Sequence, residues 1–191
     1  MSWGLKCDSL NLRYGHRGSS PLPQGPALPV AAGLTCDGRA ENPLTGTQMT
    51  PTLTPATDLH RTFARDLTRR AMLAYYREFD LLWLEEAFDQ AWGWREQWLI
   101  VDAGQPLGFC SLSQDSRALY IRELHLVEAA RGKGIGGWVL EQLAEWAGRR
   151  HLPLLRLTVF KSNPAQALYL RHGFVAQGED ECFVRMQRVI G

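Results

Sequence analysis

The sequence predicts a mixed α/β sheet in a single domain, preceded by a tail with little regular structure. Three observations carry that prediction. After residue 50, short apolar runs alternate with segments of helical period. Two of the runs, Leu107–Leu112 and Ala118–Val127, are divided by turn residues Gln114, Asp115 and Ser116, the mark of an antiparallel meander. Helical segments then follow a glycine-rich stretch and an Asn-Pro step, so helices and strands interleave along the chain.

Taken in order, residues 1–48 read as a flexible tail. Pro21, Pro23, Pro26 and Pro29 alternate with other residues, and glycines punctuate the chain to Gly46. Proline fixes φ and removes a donor, so this stretch builds neither ladders nor long helices. The same prolines break any amphipathic helix of a transit peptide. Met49 opens the ordered domain, 49–191, and a start mis-assigned upstream of it is an alternative origin for the tail. Thr50–Thr54 predicts a short strand, and Thr57-Asp58 leads a helix to about Tyr76. A second helix is expected over Leu81–Ala91, from Leu82, Trp83, Ala87 and Phe88. Trp98–Val101 is the next strand, turning at Asp102–Gln105 into the meander.

The helix after the glycines places Ile135, Val139, Leu143 and Trp146 on one face and ends among Arg149, Arg150 and His151, cations suited to a helix C-terminus. Leu154–Phe160 is a strand. Asn163 as N-cap and Pro164 in the first turn start a helix that Gly173 stops. Phe174–Gln177 and Cys182–Arg188 close the domain as a hairpin about Gly178-Glu179-Asp180.

Composition bounds the function. The chain has 191 residues, 45% hydrophobic and 21% charged, the balance of a soluble globular protein. A formal net charge of +1 lacks the clustered basic excess of a nucleic-acid binder. No run approaches the roughly 18 apolar residues that span a bilayer, and Met1–Leu10 lacks the basic start and apolar stretch of a secretory signal. Cys7, Cys36, Cys110 and Cys182 form neither a C-x-x-C pair nor a regular spacing, which disfavours a disulfide framework or a metal site and fits a reducing cytoplasm.

Chemistry concentrates in Arg131-Gly132-Lys133-Gly134-Ile135-Gly136-Gly137, between a strand and a helix. Glycines at a helix start let unpaired backbone N–H groups converge on an anion, and a pyrophosphate is the natural occupant. Gly132, Gly134 and Gly137 also satisfy the dinucleotide pattern G-x-G-x-x-G. Its context fails, because a meander precedes it and the following strand ends at Phe160-Lys161-Ser162 without an acidic residue for a ribose.

The loop resembles the R-G-x-G-I-G pyrophosphate loop of the GNAT superfamily of N-acetyltransferases. Asn163-Pro164-Ala165-Gln166-Ala167-Leu168-Tyr169-Leu170-Arg171-His172-Gly173-Phe174 resembles that family's N-P-A-x-x-L-Y-x-x-x-G-F segment, in the matching order. Together the two cover a resemblance from about Thr50 to Met186. It implies the GNAT fold and transfer of an acetyl group from acetyl-CoA to an amine in a ternary complex. The implied cofactor-binding set is Leu126, Val127, Arg131, Gly132, Lys133, Gly134, Ile135, Gly136, Gly137 and Asn163. Backbone groups of Leu126 and Val127 would hold the pantetheine arm and polarise the thioester, and Asn163 serves equally as a helix cap. Tyr169 matches the tyrosine that gives a proton to the departing thiolate; it also sits on one helical face with Ala165, Leu168 and His172, as a core aromatic would.

Glu123, a carboxylate inside the fourth strand, is the candidate base, with His125 on the same strand face as the second candidate. The plain alternative for Glu123 is a surface ion pair with Arg122 or Arg156. Trp83, Trp92, Trp94 and Trp98 are candidates for an acceptor pocket through cation–π contact, core packing or a dimer interface being the commoner use of such aromatics. No Cys–His or Ser–His arrangement points to an acyl-enzyme, and no metal is required. The acceptor is a small-molecule or peptide amine, and the family's habit implies a homodimer. The rival reading is a non-catalytic CoA-binding module on the same fold.

Overall fold

The computed structural model describes residues 49–191. The tail read from the sequence over residues 1–48 lies outside the described residues.

Strands β1 (Thr52–Pro55), β2 (Glu96–Asp102), β3 (Gln105–Gln114), β4 (Ala118–Leu126), β5 (Leu154–Phe160), β6 (Val175–Glu179) and β7 (Phe183–Val189) form one sheet in the order β1-β2-β3-β4-β5-β7-β6. Helices α1 (Arg61–Glu78) and α2 (Glu85–Trp92) connect β1 to β2. Helix α3 (Ile135–Arg149) joins β4 to β5, and α4 (Gln166–Arg171) precedes β6. The mixed sheet and the antiparallel meander are as the sequence predicts.

Most boundaries shift by a few residues, such as α1 beginning at Arg61 and β2 at Glu96, and two of the shifts bear on the site. Residues 81–84 are not helical, and Leu84 is extended at φ −118°, so that helix begins at Glu85 instead of Leu81. Asn163 does not start α4 directly. Its Oδ1 accepts from the Ala165 N–H at 2.9 Å and its carbonyl accepts from Gln166 at 3.2 Å, closing a turn ahead of the helix.

The β4–β5 pair is parallel, which requires the crossover that α3 supplies. The helix buries Val139, Leu140, Leu143 and Ala147 against Leu112, Leu119, Ile121, Leu155 and Leu157 of the sheet. Across the sheet a smaller cluster of Ala64, Leu67, Trp92 and Phe109 seats α1 and α2. Pairing of β4 with β5 runs from Ala118↔Leu154 to Ile121↔Leu157 and stops. Beyond it, Arg122–Leu126 and Thr158–Phe160 diverge, and the gap between them is the site.

A bulge explains why the gap is polar. Ser111 lies opposite Glu123 while Leu112 lies opposite Ile121, so Arg122 is an extra residue in β4. One inserted residue reverses the alternation of side chains. Leu119 and Ile121 face the α3 core before it, and Leu124 and Leu126 face the same core after it. Glu123 and His125 are thereby turned to the opposite face, toward α1. Gly108 lets β3 and β4 close up here, since a Cβ on it would lie 2.4 Å from the His125 carbonyl oxygen.

Candidate active site

A cavity of about 740 Å³ fills the gap. Helix α1 roofs it with Leu67, Arg70 and Tyr75; β4 supplies one wall, β5 the other, and Asn163 and Tyr169 close the end. Glu123, His125, Leu126, Val127, Arg131, Asn163 and Tyr169, all singled out from the sequence, line this one cavity.

Glu123 is held from two sides. His125 Nε2 lies 2.9 Å from its Oε2, and Arg95 Nη1 lies 3.8 Å from its Oε1. The surface ion pair with Arg156 expected as the alternative does not form: Arg156 donates to Gln187 and Tyr120. Arg95 is a neighbour that the sequence reading missed, and its side chain is only 10% exposed. Its Nε finds no partner among the described residues. Burial lowers its pKa, opposed by the charge of Glu123.

Tyr169 is buried at 9% exposure, edge-on to Phe174 with ring centroids 5.8 Å apart. Burial, and then the negative charge of Glu123, push its phenol up to about 12. The α1 tyrosine Tyr76 is raised to about 12 by the same two causes in the same order. Glu123 therefore faces His125 on its own strand, Arg95, Tyr76 and Tyr169.

The strand end is more constrained than the sequence suggested. Val127 N–H donates to the Leu107 carbonyl at 2.9 Å, its carbonyl accepts from Ala130, and the Leu126 carbonyl accepts from Arg131 Nε at 3.1 Å. Gly108↔Leu126 is the pair between those bonded rungs, so the Leu126 N–H points away from β3 into the gap. The donor available to a ligand is thus on Leu126 and not on Val127.

In the glycine loop, Gly132 (φ 71°) and Gly134 (φ 81°) take left-handed conformations, and Gly134 is the N-cap of α3. Trp138 N–H makes the first helical bond, to Gly134, leaving the N–H groups of Ile135, Gly136 and Gly137 ahead of it. Arg131 and Lys133 are exposed beside them. The Ile135 side chain is core, at 3% exposure. Gly137 also serves packing: a Cβ there would lie 2.5 Å from His172 Nε2 of the α4 end.

The tryptophans do not line the cavity. Trp92 is core, stacked on Phe109 with centroids 5.7 Å apart and donating to Asp58 at 3.0 Å. Trp98 packs on Trp146, Trp83 on Tyr76, and Trp94 lies under the Arg95 guanidinium. The aromatic wall comes from Tyr75 stacked on Phe160 instead. Helix α1 was read from the sequence as an element and not as a roof, which is why this wall was missed.

Splayed parallel strands, a bulge carrying an acid, and a glycine-capped helix define an acyltransferase of one class. Residues 60–174 match the sequence profile of the acetyltransferase (GNAT) family, and the chain belongs to that family. Solved structures share the fold at low identity. The ribosomal-protein-S18-alanine N-acetyltransferase from Escherichia coli has 19% identity and a TM-score of 0.61, over 74% of this chain and 95% of that one. A GNAT family acetyltransferase from Elizabethkingia anophelis with acetyl-CoA bound has 19% identity and a TM-score of 0.59, over 73% and 97%. The PaiA N-acetyltransferase from Thermoplasma acidophilum in complex with coenzyme A has 14% identity and a TM-score of 0.59, over 74% and 99%. No helix among the described residues is long and apolar enough to cross a membrane.

Proposed function

We propose that this enzyme transfers acetyl from acetyl-CoA to a primary amine by direct attack in a ternary complex, with Glu123 as base and Tyr169 as the acid that hydrogen-bonds to the departing sulfur. The observation that carries it is that Glu123 and Tyr169 line one cavity at the β4–β5 gap, close enough that the charge of Glu123 adds to burial in raising the Tyr169 phenol. The acetyl-CoA and coenzyme A bound by the two neighbours above bring the co-substrate to this chain as part of the proposal. The N–H groups of residues 135–137 and the left-handed Gly132 and Gly134 fit its pyrophosphate.

The geometry supports each role. An amine arrives as an ammonium ion and attacks only when neutral. Glu123 removes its proton, directly or through water, and His125 at 2.9 Å offers the proton an onward step. General-base contributions are typically of order 10²–10⁴-fold. The inward N–H of Leu126 stabilises the developing oxyanion, a contact worth about 3 kcal/mol. A phenol near 12 is a weaker acid than a thiol, whose ordinary pKa is about 8.5. Tyr169 therefore assists departure by hydrogen bonding to the sulfur as charge develops, with full proton transfer uphill.

The test is release of CoA from acetyl-CoA over a panel of primary amines, comparing wild type with Glu123→Gln and Tyr169→Phe. Amine-dependent release that either variant lowers by about 100-fold or more supports the reading. Acetyl-CoA binding with no release for any amine would instead support the non-catalytic module.

A further inference from the structure

The bulge residue Arg122 is fixed in a way that an idle surface arginine is not. Its Nε donates to Ser113 Oγ at 2.7 Å, and its guanidinium carbon stands 4.7 Å over the Tyr120 ring. The Tyr120 hydroxyl donates in turn to Asp115 at 2.8 Å, which steadies the ring. Holding a long side chain in one rotamer opposes its conformational entropy, and here three residues contribute to doing so. The immobilised plane leaves both Nη groups without an acceptor among the described residues, on a side chain that lines the cavity directly beside Glu123. Burial lowers the pKa of Arg122, opposed by Tyr120 and by the charges of Asp115 and Glu123.

A fixed guanidinium with a free pair of N–H donors matches a carboxylate in bidentate geometry. Building on the acetyl-transfer reading above, we infer that the acceptor is an amino acid-like molecule whose carboxylate is held by Arg122 while its amine faces Glu123. Both side chains line the one cavity, the Arg122 guanidinium held toward Tyr120 and the Glu123 carboxylate toward His125, so one acceptor can reach both groups. A monoanion suits this position better than a phosphate dianion, because Glu123 and Asp115 stand close by and repel additional negative charge. The bulge thus supplies two neighbouring groups to one face, the base and the anion clamp, where a regular strand would send them to opposite faces.

The test uses the full chain and matched acceptor pairs, free α-amino acids against their carboxamides, with CoA release as readout. The expected result is a kcat/KM roughly 10–100-fold higher for the carboxylates, the range of a charge-assisted hydrogen bond. Arg122→Gln should collapse that ratio toward one by raising KM for the carboxylates, and Arg122→Lys should keep more of it. Equal use of acids and amides by wild type overturns the inference, as does a loss in Arg122→Gln that is the same for both. If no pair is acetylated although acetyl-CoA binds, the free amino acids are titrated calorimetrically into CoA-saturated protein. Saturable binding that Arg122→Gln removes supports the clamp, and no binding overturns it. Failure to bind acetyl-CoA overturns the acetyl-transfer reading as well, which separates the two.

Discussion

At the scale of single residues, the proposed chemistry turns on one carboxylate held from two sides. His125 Nε2 at 2.9 Å and Arg95 Nη1 at 3.8 Å fix Glu123 in the cavity wall. Glu123→Gln should cut kcat by roughly 10²–10⁴-fold while the dissociation constant for acetyl-CoA stays within about twofold, as measured by calorimetry. Tyr169→Phe is expected to lower kcat too, by removing the hydrogen bond to sulfur. The raised phenol gives a sharper test. A group near 12 stays protonated throughout the working range, so Tyr169 contributes no descending limb to the pH–rate profile below about pH 11. A basic limb near pH 10 in wild type that Tyr169→Phe abolishes would contradict this assignment. The identities of Glu123, His125 and Tyr169 were legible in the sequence because two motifs and a strand period place them. Arg95 was not, since it reaches Glu123 from the turn just ahead of β2, two strands away in the sheet, and no local period reports such a contact.

At the scale of elements, turns and caps decide where the polar groups point. Gly134 holds φ 81° at the head of α3, and a Cβ there would touch nothing, so its constraint is conformational and not spatial. Gly134→Ala should cost about 1–2 kcal/mol, read as a lower melting temperature, together with weaker acetyl-CoA binding. Gly137→Ala fails for the other reason, a Cβ pressed against the His172 ring. That ring belongs to a clamp of α3, α4 and β7, in which Glu141 accepts from Arg188 at 2.9 Å through both oxygens and from His172 at 2.8 Å. The hydrogen bonds of Arg188 first and His172 second hold Glu141 at about 2. A carboxyl depressed in the fold stabilises above its unfolded value and loses that contribution as pH falls toward 2. The gap in thermal stability between wild type and Glu141→Gln should therefore be present at pH 7 and narrow below about pH 4.5; a gap that widened there would exclude the clamp. Both glycines stood out in the sequence, but only as a phosphate loop, because helix-to-helix distance has no signature within one segment. The β4 bulge did leave a trace: the apolar phase passes from Leu119 and Ile121 to Leu124 and Leu126, a slip that a strict two-residue period cannot contain.

At the scale of the whole molecule, the fold keeps three acids neutral that the unfolded chain would ionise in alkaline solution. Tyr76, Tyr169 and Cys110 are each raised to about 12, in every case chiefly by burial. Acids raised in the fold withdraw stability as pH climbs above their unfolded values, so between about pH 10 and 12 unfolding should become easier by as much as about 4 kcal/mol per pH unit. Chemical denaturation followed at pH 8, 10 and 11 checks this, and a flat profile would mean that the three groups are better solvated than the structure indicates. The overall architecture was legible from the alternation of elements and from the meander. The roof over the cavity was not, because α1 acquires its role only by crossing the gap between β4 and β5. The central claim is that this gap takes acetyl-CoA with its pyrophosphate at the head of α3. Its most direct test is calorimetric titration of the full chain with acetyl-CoA, alongside Gly134→Ala. Saturable binding near one equivalent, weakened by that substitution, is the predicted result; a folded protein that takes up no acetyl-CoA would contradict the account.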